Sequence, residues 1–240
     1  MFLDIHSHIL HNIDDGAKDL NTSIALLESA YAQGVTDVIL TPHFYAQIHS
    51  LEERKVEAEI RFHELKNAIK GKAVPNIYLG NELFYFKGIS RASTLEPFTL
   101  NDSPYLLFEP DHSLLNKALM EEILHLKERG YIPIIPHIER YSKEKGYRAF
   151  VKFVKANGIL TQVNATSFFS KYYNRPLRKL LKSNLVTFLG SDAHSLETRP
   201  VLIKGALEKI ASLYGEDTKQ KLIDNSEWLL SQITKKELEV

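Results

Sequence analysis

The most informative absence from this 240-residue sequence is cysteine, which does not occur at all. Without cysteine there can be no disulfide framework, no thiolate zinc site, no iron–sulfur cluster and no cysteine nucleophile. Any hydrolysis of a phosphate ester must therefore proceed without a cysteinyl-phosphate intermediate. Any bound metal must be held by nitrogen and oxygen ligands.

The sequence also lacks a net charge and a long hydrophobic run. Lys+Arg and Asp+Glu both number 30, whereas nucleic-acid-binding domains usually carry a basic excess. No apolar run approaches the roughly 18 residues needed to span a membrane. The N-terminus has no basic segment followed by an apolar stretch, so it does not predict a secretory signal. We therefore expect a cytoplasmic protein that neither inserts into a membrane nor binds nucleic acid.

Short apolar runs alternate with longer amphipathic segments along the chain. Seven runs have the length of strands and mostly lack polar alternation, which is typical of parallel strands buried on both faces; they are residues 1–5, 35–40, 76–80, 104–108, 131–135, 159–163 and 186–190. Helices are predicted over residues 21–33, 51–70, 114–129, 143–157, 199–213 and 217–236. The segment 85–104 is predicted to be loop with a short helix.

This alternation predicts an α/β fold with a mainly parallel sheet. Seven strands favour a closed, TIM-like (βα)7 barrel, with an open doubly wound sheet as the alternative. The length suits one domain covering residues 1–240. No glycine-rich phosphate loop follows the first strand, so nothing supports a nucleotide-binding sheet.

Histidines and carboxylates recur directly after the predicted strands. In parallel barrels the functional residues lie at the C-terminal ends of the strands, and all but one of the seven ends here offer an imidazole or a carboxylate: His6 and His8, His43, Glu82, Glu109, His137, and Asp192 with His194. The sixth run ends at Asn164. Folding would bring these side chains onto one rim, which predicts a multinuclear metal site with nitrogen and oxygen ligands.

Taken singly, these motifs are less specific. In an extended chain His6 and His8 point to the same side, so one cation can bind both rings, but a solvated strand end would look the same. The run 14–16, Asp-Asp-Gly, also fits an ordinary turn. A buried Glu82 or Glu109 needs a partner, which either a metal or an arginine would provide.

The sequence leaves more than one role for other polar and aromatic side chains near the predicted rim. His11 and His112 are candidates for residues that support the ligands from behind. Aromatic clusters follow the third and sixth strands, where they could stack on a phosphotyrosine ring or pack into the core; they are Phe84, Tyr85 and Phe86, and Phe168, Phe169, Tyr172 and Tyr173.

The motifs, taken in order, resemble those of a known superfamily. They are DIHSH, DDGA, TPHF, GNE, FE, PHIERY and GSDAH with a trailing RP. Together they resemble the PHP (polymerase and histidinol phosphatase) superfamily, and within it the CpsB/CapC/YwqE-type manganese-dependent tyrosine-protein phosphatases of bacterial capsule and exopolysaccharide operons. The resemblance covers nearly the whole chain and implies a distorted (βα)7 barrel carrying three metal ions, usually manganese.

The resemblance also implies roles for individual residues. His6, His8, Glu82 and Asp192 correspond to the ligands of one ion. Glu82 would bridge to a second ion, held also by Glu109 and His137. Asp15, His43 and His194 correspond to the ligands of the third, with Asp14 the weaker candidate of the aspartate pair. Arg140 and Arg199 correspond to phosphate-binding arginines.

These residue types suit hydrolysis of phosphate monoesters. Clustered metals polarise phosphoryl oxygens and lower the pKa of a bound water, and arginine binds phosphate oxygens through a planar fork. The ligand types do not choose among Mn²⁺, Fe²⁺, Zn²⁺ and Mg²⁺. The resemblance implies a phosphotyrosine protein as substrate, namely the C-terminal tail of a bacterial tyrosine kinase. The alternatives are a small-molecule phosphoesterase such as a histidinol phosphatase, a nucleic-acid enzyme and a noncatalytic metal-stabilised scaffold.

Overall fold

The computed structural model describes residues 2–235. All seven predicted strand positions carry parallel strands, and two of them are split into two short strands. The strands are β1 (Leu3–Asp4), β2 (Asp37–Leu40), β3 (His43–Phe44), β4 (Asn76–Leu79), β5 (Glu82–Phe84), β6 (Tyr105–Glu109), β7 (Ile132–Ile135), β8 (Leu160–Asn164) and β9 (Phe188–Gly190). The prediction of an α/β fold built on a parallel sheet is confirmed.

The helices lie between the strands, as predicted, with one addition. They are α1 (Leu20–Ala32), α2 (Leu51–Ala68), α3 (Lys117–Glu128), α4 (Tyr147–Ala156), α5 (Asn174–Lys182), α6 (Ile203–Tyr214) and α7 (Glu216–Ile233). Helix α5 was not predicted from the sequence. The segment 85–104 holds three single-turn 3₁₀ helices. The predicted end of the last helix, residue 236, lies outside the described residues.

Helices α3 and α4 begin later than predicted because local hydrogen bonds and backbone geometry set their first turns. The side chain of Asn116 accepts a hydrogen bond from the backbone of Leu119 and so caps α3. Gly146, in the left-handed region at φ 91°, separates a 3₁₀ turn over residues 140–143 from α4. A Cβ at Gly146 would lie 2.1 Å from the carbonyl oxygen of Leu115, so this close approach requires glycine.

The strands form a distorted closed barrel. One sheet has the order β1-β2-β4 and the other the order β3-β5-β6-β7-β8-β9, with all pairs parallel. The chain runs from β2 into β3 and from β4 into β5, which joins the two sheets. An isolated bridge between Ser7 and Ala193 joins the last strand position to the first. Hydrogen bonds from Asp192 N to His6 O (2.8 Å) and from His8 N to Ala193 O (2.9 Å) complete this closure.

Two apolar layers hold the barrel together. Alternation along β6 sends Leu107 into the smaller layer, inside the barrel, and Leu106 and Phe108 into the larger layer beneath the helices. Leu229 and Ile233 of α7 close the inner layer from below. The polar strand ends lie at the opposite, C-terminal rim. Within residues 2–235, none of the helices is both long and apolar enough to cross a membrane.

Candidate metal centre

The rim brings together every side chain that was predicted as a metal ligand. Four overlapping groups each place one donor atom per residue within 4.8 Å of the others; they are His8, Asp15, His43 and His194; His6, His8 and Asp192; Glu109, His112 and His137; and His43, Glu82 and Glu109. The strands position these donors because their C-terminal ends meet at one edge. His112 joins this set, whereas His11 contacts Glu64 on α2 instead.

Glu82 lies at the centre of the cluster and is 1% exposed. Its Oε2 atom is 3.3 Å from Nε2 of both His6 and His8 and 3.0 Å from Nδ1 of His43. Its Oε1 atom is 2.9 Å from Nε2 of His137. This carboxylate belongs to one donor group and also contacts residues of the other three, so it is placed where it could bridge between them.

His6 and His8 project to the same side of the extended chain after β1. Their Nε2 atoms are 3.1 Å apart, and Oδ1 of Asp192 lies 3.5 Å from the first and 3.4 Å from the second. Burial alone would lower the pKa of both histidines, but nearby carboxylates raise it above the ordinary value; they are Glu82 and Asp192 for His6, and Asp14 and Glu82 for His8. This arrangement concentrates negative charge around two paired imidazoles.

The two aspartates of the DDG run have different positions. Oδ2 of the buried Asp14 contacts Nδ1 of His8 at 2.7 Å and accepts a hydrogen bond from the backbone of His43 at 3.0 Å. Asp15 is 66% exposed, and its Oδ1 atom lies 3.3 Å from Nε2 of His194. Asp14 therefore orients a histidine from behind, while Asp15 presents its carboxylate to the cluster. A Cβ at Gly16 would lie 2.0 Å from the carbonyl oxygen of His8, so the run is more than a generic turn.

Glu109 and His137 lie on the other side of Glu82. Burial, together with the charge of Glu82, raises the pKa of Glu109 to about 9. Burial lowers the pKa of His137 to about 4. The ring of His112 stacks against that of His137, with their centroids 6.4 Å apart.

A buried polar pair on β8 supports the cluster and was missed by the sequence analysis. Oε1 of Gln162 accepts a hydrogen bond from the backbone of His137 at 2.8 Å and lies 3.2 Å from Nδ1 of His6. Nε2 of Gln162 donates to Oδ1 of Asn164 at 2.8 Å, and Nδ2 of Asn164 donates to Oδ2 of Asp192 at 2.6 Å. The available signal was a glutamine in the middle of a strand whose neighbours are buried.

Two further buried charges brace the loops around the rim. Arg54 on α2 donates to the carbonyl oxygens of Ile13 and His43, each at 2.6 Å, and so links the loop after β1 to strand β3. Glu139 accepts hydrogen bonds from the backbone of Asn164 at 3.1 Å and from the hydroxyl of Ser167 at 2.6 Å. Burial raises the pKa of Glu139 to about 7.

Arg140 and Arg199 both face the cluster, and both contact Asp192. The distances to Oδ2 of Asp192 are 3.2 Å from Nη1 of Arg140 and 2.7 Å from Nη2 of Arg199. Each arginine side chain is about one third exposed, at 34% for Arg140 and 33% for Arg199. Both arginines therefore present part of their N–H groups at the mouth of the site.

The aromatic clusters divide between the core and the surface. Tyr85 and Phe168 are buried, and Phe84 packs on Tyr45, with their ring centroids 5.3 Å apart. Tyr45 in turn lies 5.1 Å from the ring of His43 and is another residue beside the site that the sequence analysis did not identify. Phe169 and Tyr172 are exposed.

The donor set fits divalent cations. Two donor nitrogens that bind one ion at about 2.1 Å lie roughly 3 to 3.5 Å apart, which agrees with the separation of His6 and His8. Several buried donor atoms at the rim also lie close to other donor atoms without forming a hydrogen bond of normal geometry with any described residue; they are Glu82 Oε2, Glu109 Oε2, His43 Nδ1 and His194 Nε2. A buried carboxylate with a raised pKa, such as that of Glu109, is stabilised in its charged form by a cation.

Solved structures with known functions share this fold. One chain from the crystal structures of YwqE from Bacillus subtilis and CpsB from Streptococcus pneumoniae, described as unique metal-dependent tyrosine phosphatases, is matched with a TM-score of 0.86 at 26% identity, over 96% of this chain and 94% of that chain. A histidinol phosphate phosphatase from Lactococcus lactis, solved with zinc, L-histidinol and phosphate, is matched with a TM-score of 0.54 at 14% identity. This second likeness concerns the fold alone.

Sequence relatives give the family. The CapC protein of Staphylococcus aureus is 36% identical over 208 residues, which are 84% of this chain and 80% of CapC. The tyrosine-protein phosphatase CpsB of Streptococcus agalactiae serotype III is 30% identical over 247 residues, covering 95% of this chain and 98% of CpsB. The family model for capsular polysaccharide synthesis, CpsB/CapC, matches residues 2–231. The chain therefore belongs to the CpsB/CapC family of capsular polysaccharide synthesis proteins.

Proposed function

We propose that this chain is a metal-dependent phosphotyrosine-protein phosphatase that acts as one domain over residues 1–240. The observation that carries the proposal is the convergence of nine histidine and carboxylate donors with two arginines at one rim of a chain without cysteine. The relatives named as tyrosine-protein phosphatases support the same activity. The substrate we propose is the phosphorylated C-terminal tail of a bacterial tyrosine kinase that controls capsule or exopolysaccharide synthesis.

The residues at the rim would hold three divalent ions, with Mn²⁺ as our first choice and Fe²⁺, Zn²⁺ or Mg²⁺ as the others. We assign His6, His8, Glu82 and Asp192 to one ion; Glu82, Glu109 and His137 to a second; and Asp15, His43 and His194 to the third. The central position of Glu82 supports its role as a bridge. When bound, such ions act as Lewis acids toward a phosphoryl group and supply a hydroxide nucleophile at neutral pH.

The protein's own side chains would position the ligands and bind the substrate. Asp14 holds the ring of His8 through Nδ1, which leaves Nε2 directed into the cluster. Arg140 and Arg199 present guanidinium N–H groups beside Asp192, where they can bind phosphate oxygens and stabilise negative charge that develops during transfer. The exposed ring of Tyr172 would lie next to the substrate's tyrosine side chain or backbone rather than in the core.

The test combines a substrate comparison with removal of metal. The purified protein should hydrolyse phosphotyrosine peptides, lose this activity after treatment with a chelator, and regain it when Mn²⁺ is added. A thiol alkylator should have no effect, because the chain has no cysteine. Activity that survives complete removal of metal would overturn the mechanism.

One variant and one substrate comparison test the scaffold and the small-molecule alternatives. His137→Ala should fold, as judged by circular dichroism, but lose turnover; full activity in this variant would contradict its assignment as a ligand. If the parent has no measurable activity, and His137→Ala loses both metal binding and folding, the site would instead be that of a metal-stabilised scaffold. A higher kcat/KM for small phosphomonoesters than for phosphotyrosine peptides would indicate the small-molecule phosphoesterase, which shares this fold.

A further inference from the structure

One part of this electrically neutral chain carries a strong local excess of positive charge. Residues 145–191 contain nine Lys or Arg and no Asp or Glu, although the chain as a whole has 30 of each kind. This stretch forms α4, β8, the loop after β8, α5 and β9. The acidic residues that offset this positive charge therefore all lie outside residues 145–191.

All nine basic side chains are exposed, and four of them belong to α5: Arg175, Arg178, Lys179 and Lys182. The apolar residues Leu177 and Leu180 bury the other side of this helix. Among the described residues, the ion pairs that Lys and Arg form involve basic residues outside this stretch. The exposed Lys and Arg side chains of residues 145–182, here called the basic face, thus keep their charge available to a partner.

The basic face is continuous with the mouth of the candidate metal centre. Strand β8 ends at Asn164, which contacts Asp192, and the loop that follows leads to Tyr172 and Tyr173. In the same loop the ring of Tyr172, 78% exposed, lies 5.1 Å from Nζ of Lys143. Lys171 and Arg175 flank this pair of tyrosines along the chain. A ligand bound by the rim arginines would therefore extend directly over these two residues.

We propose that the basic face binds acidic residues that flank the phosphotyrosine of the substrate, an inference that rests on the proposed phosphatase activity. Helix α5 has nine residues and so extends for about 14 Å, at about 1.5 Å per residue. An extended peptide advances about 3.3 Å per residue, so the acidic residues within about four or five positions of the phosphotyrosine lie in reach. Attraction between exposed charges also falls off over roughly 8–10 Å at physiological salt.

An anionic membrane is the other polyanion that such a face could meet. Lys143 contacts the ring of Tyr172 and belongs to the same 3₁₀ turn as Arg140. This favours the peptide, because one ligand can then occupy the site and the basic face together. A bilayer would contact the side of the barrel without entering the site. The two partners are distinguished by whether binding of the peptide or binding of the membrane requires Lys171 and Arg175.

The experiment compares two phosphotyrosine peptides of equal length, one flanked by aspartates and one by serines. Both kcat/KM and binding, by fluorescence anisotropy, are measured for the parent chain and for the double variant Lys171→Glu/Arg175→Glu. The matched control is Lys70→Glu/Lys72→Glu, which reverses two exposed charges in the connection between α2 and β4, at the opposite end of the barrel. Sedimentation with phosphatidylserine vesicles and with neutral phosphatidylcholine vesicles tests the membrane.

The parent chain should prefer the aspartate peptide. The double variant should lower the ratio of kcat/KM for the aspartate peptide over the serine peptide about fivefold to thirtyfold, because each exposed ion pair contributes about 0.2–1 kcal/mol and reversal adds repulsion. The control should keep the parent's ratio, and about 0.5 M NaCl should remove the preference.

Several results would overturn the inference. Equal kcat/KM for both peptides in the parent would do so while leaving the phosphatase activity intact, and so would an unchanged ratio in the double variant. Binding to phosphatidylserine vesicles that depends on Lys171 and Arg175, without a peptide preference, would replace the peptide by a membrane. Conversely, tight binding of the aspartate peptide without hydrolysis, lost in the double variant, would support the basic face and refute the proposed function.

Discussion

Replacing Gln162 by methionine tests whether the polar pair on β8 sets the affinity of the metal centre. Methionine keeps the length of the side chain but removes the amide. His137 N and His6 Nδ1 then lose the oxygen that each contacts, at 2.8 and 3.2 Å, and Asn164 Oδ1 loses a donor. Gln162 is fully buried, so water does not easily replace these bonds.

The structure allows the magnitude to be estimated. A buried donor left without an acceptor costs about 1–3 kcal/mol, and two such donors are created, so we expect the free energy of unfolding to fall by about 2–5 kcal/mol. Since domains are typically stable by about 5–15 kcal/mol, the variant should still fold. Residues that orient metal-bound histidines typically contribute tenfold to a hundredfold in affinity. We therefore expect Mn²⁺ to bind about 10 to 100 times more weakly.

The assay is isothermal titration of the apo-protein with Mn²⁺, paired with urea unfolding of the same preparations. Ser103→Ala is the matched control, because Ser103 is buried and hydrogen-bonded to the backbone at the start of β6, far from the rim. The control should lose stability without losing affinity. Unchanged Mn²⁺ affinity in Gln162→Met, despite a loss of stability, would refute the reasoning that Gln162 positions His6.

Two further predictions concern the arginines and a glycine. Arg199→Lys should lower kcat/KM for a phosphotyrosine peptide by about tenfold or more, because a lysine cannot reproduce the planar fork; steady-state kinetics check this, and a variant as active as the parent would exclude phosphate binding by Arg199. Gly146→Ala should lower the free energy of unfolding by about 1–3 kcal/mol or more, because left-handed strain adds to a contact of 2.1 Å with Leu115. In urea unfolding, Gly34→Ala, at φ 84° with open space around it, should lose less; an equal loss would show that the contact with Leu115 has no effect.

Much of the fold was predictable because buried parallel strands leave a simple signal in the sequence. The apolar runs located all seven strand positions, and the residues that follow them located the rim. Helix α5 was missed because it is only nine residues long and its apolar residues are embedded in a run of basic ones. The breaks at Pro42 and at Gly80–Asn81, which divide two strand positions into four short strands, also left no clear periodic signal.

The metal-ligand candidates were identifiable for a related reason. A histidine or carboxylate directly after an apolar strand, such as His6 or Glu82, departs from the local hydrophobic pattern. Such departures are expected at functional sites, where a buried polar side chain needs a partner. Gln162 stood out only as a polar residue within an apolar strand, and Arg54 only as one of several charged residues of a helix. The groups that they contact are brought near only in the folded chain. The same limit applied to Asp14 and Asp15, whose different roles depend on which carboxylate turns toward His8.

The closure of the barrel between Ser7 and Ala193 has a consequence for how the protein is made. The backbone of Ser191 donates to Asp4, a residue 187 positions earlier in the chain, so the first and last strand positions must meet before Asp192 can lie beside His6 and His8. A nascent chain on the ribosome, or a fragment that ends before β9, would have most of the strands but an incomplete donor set. The phosphatase activity can therefore arise only after nearly the whole barrel has been synthesised, so incomplete chains are expected to be inactive.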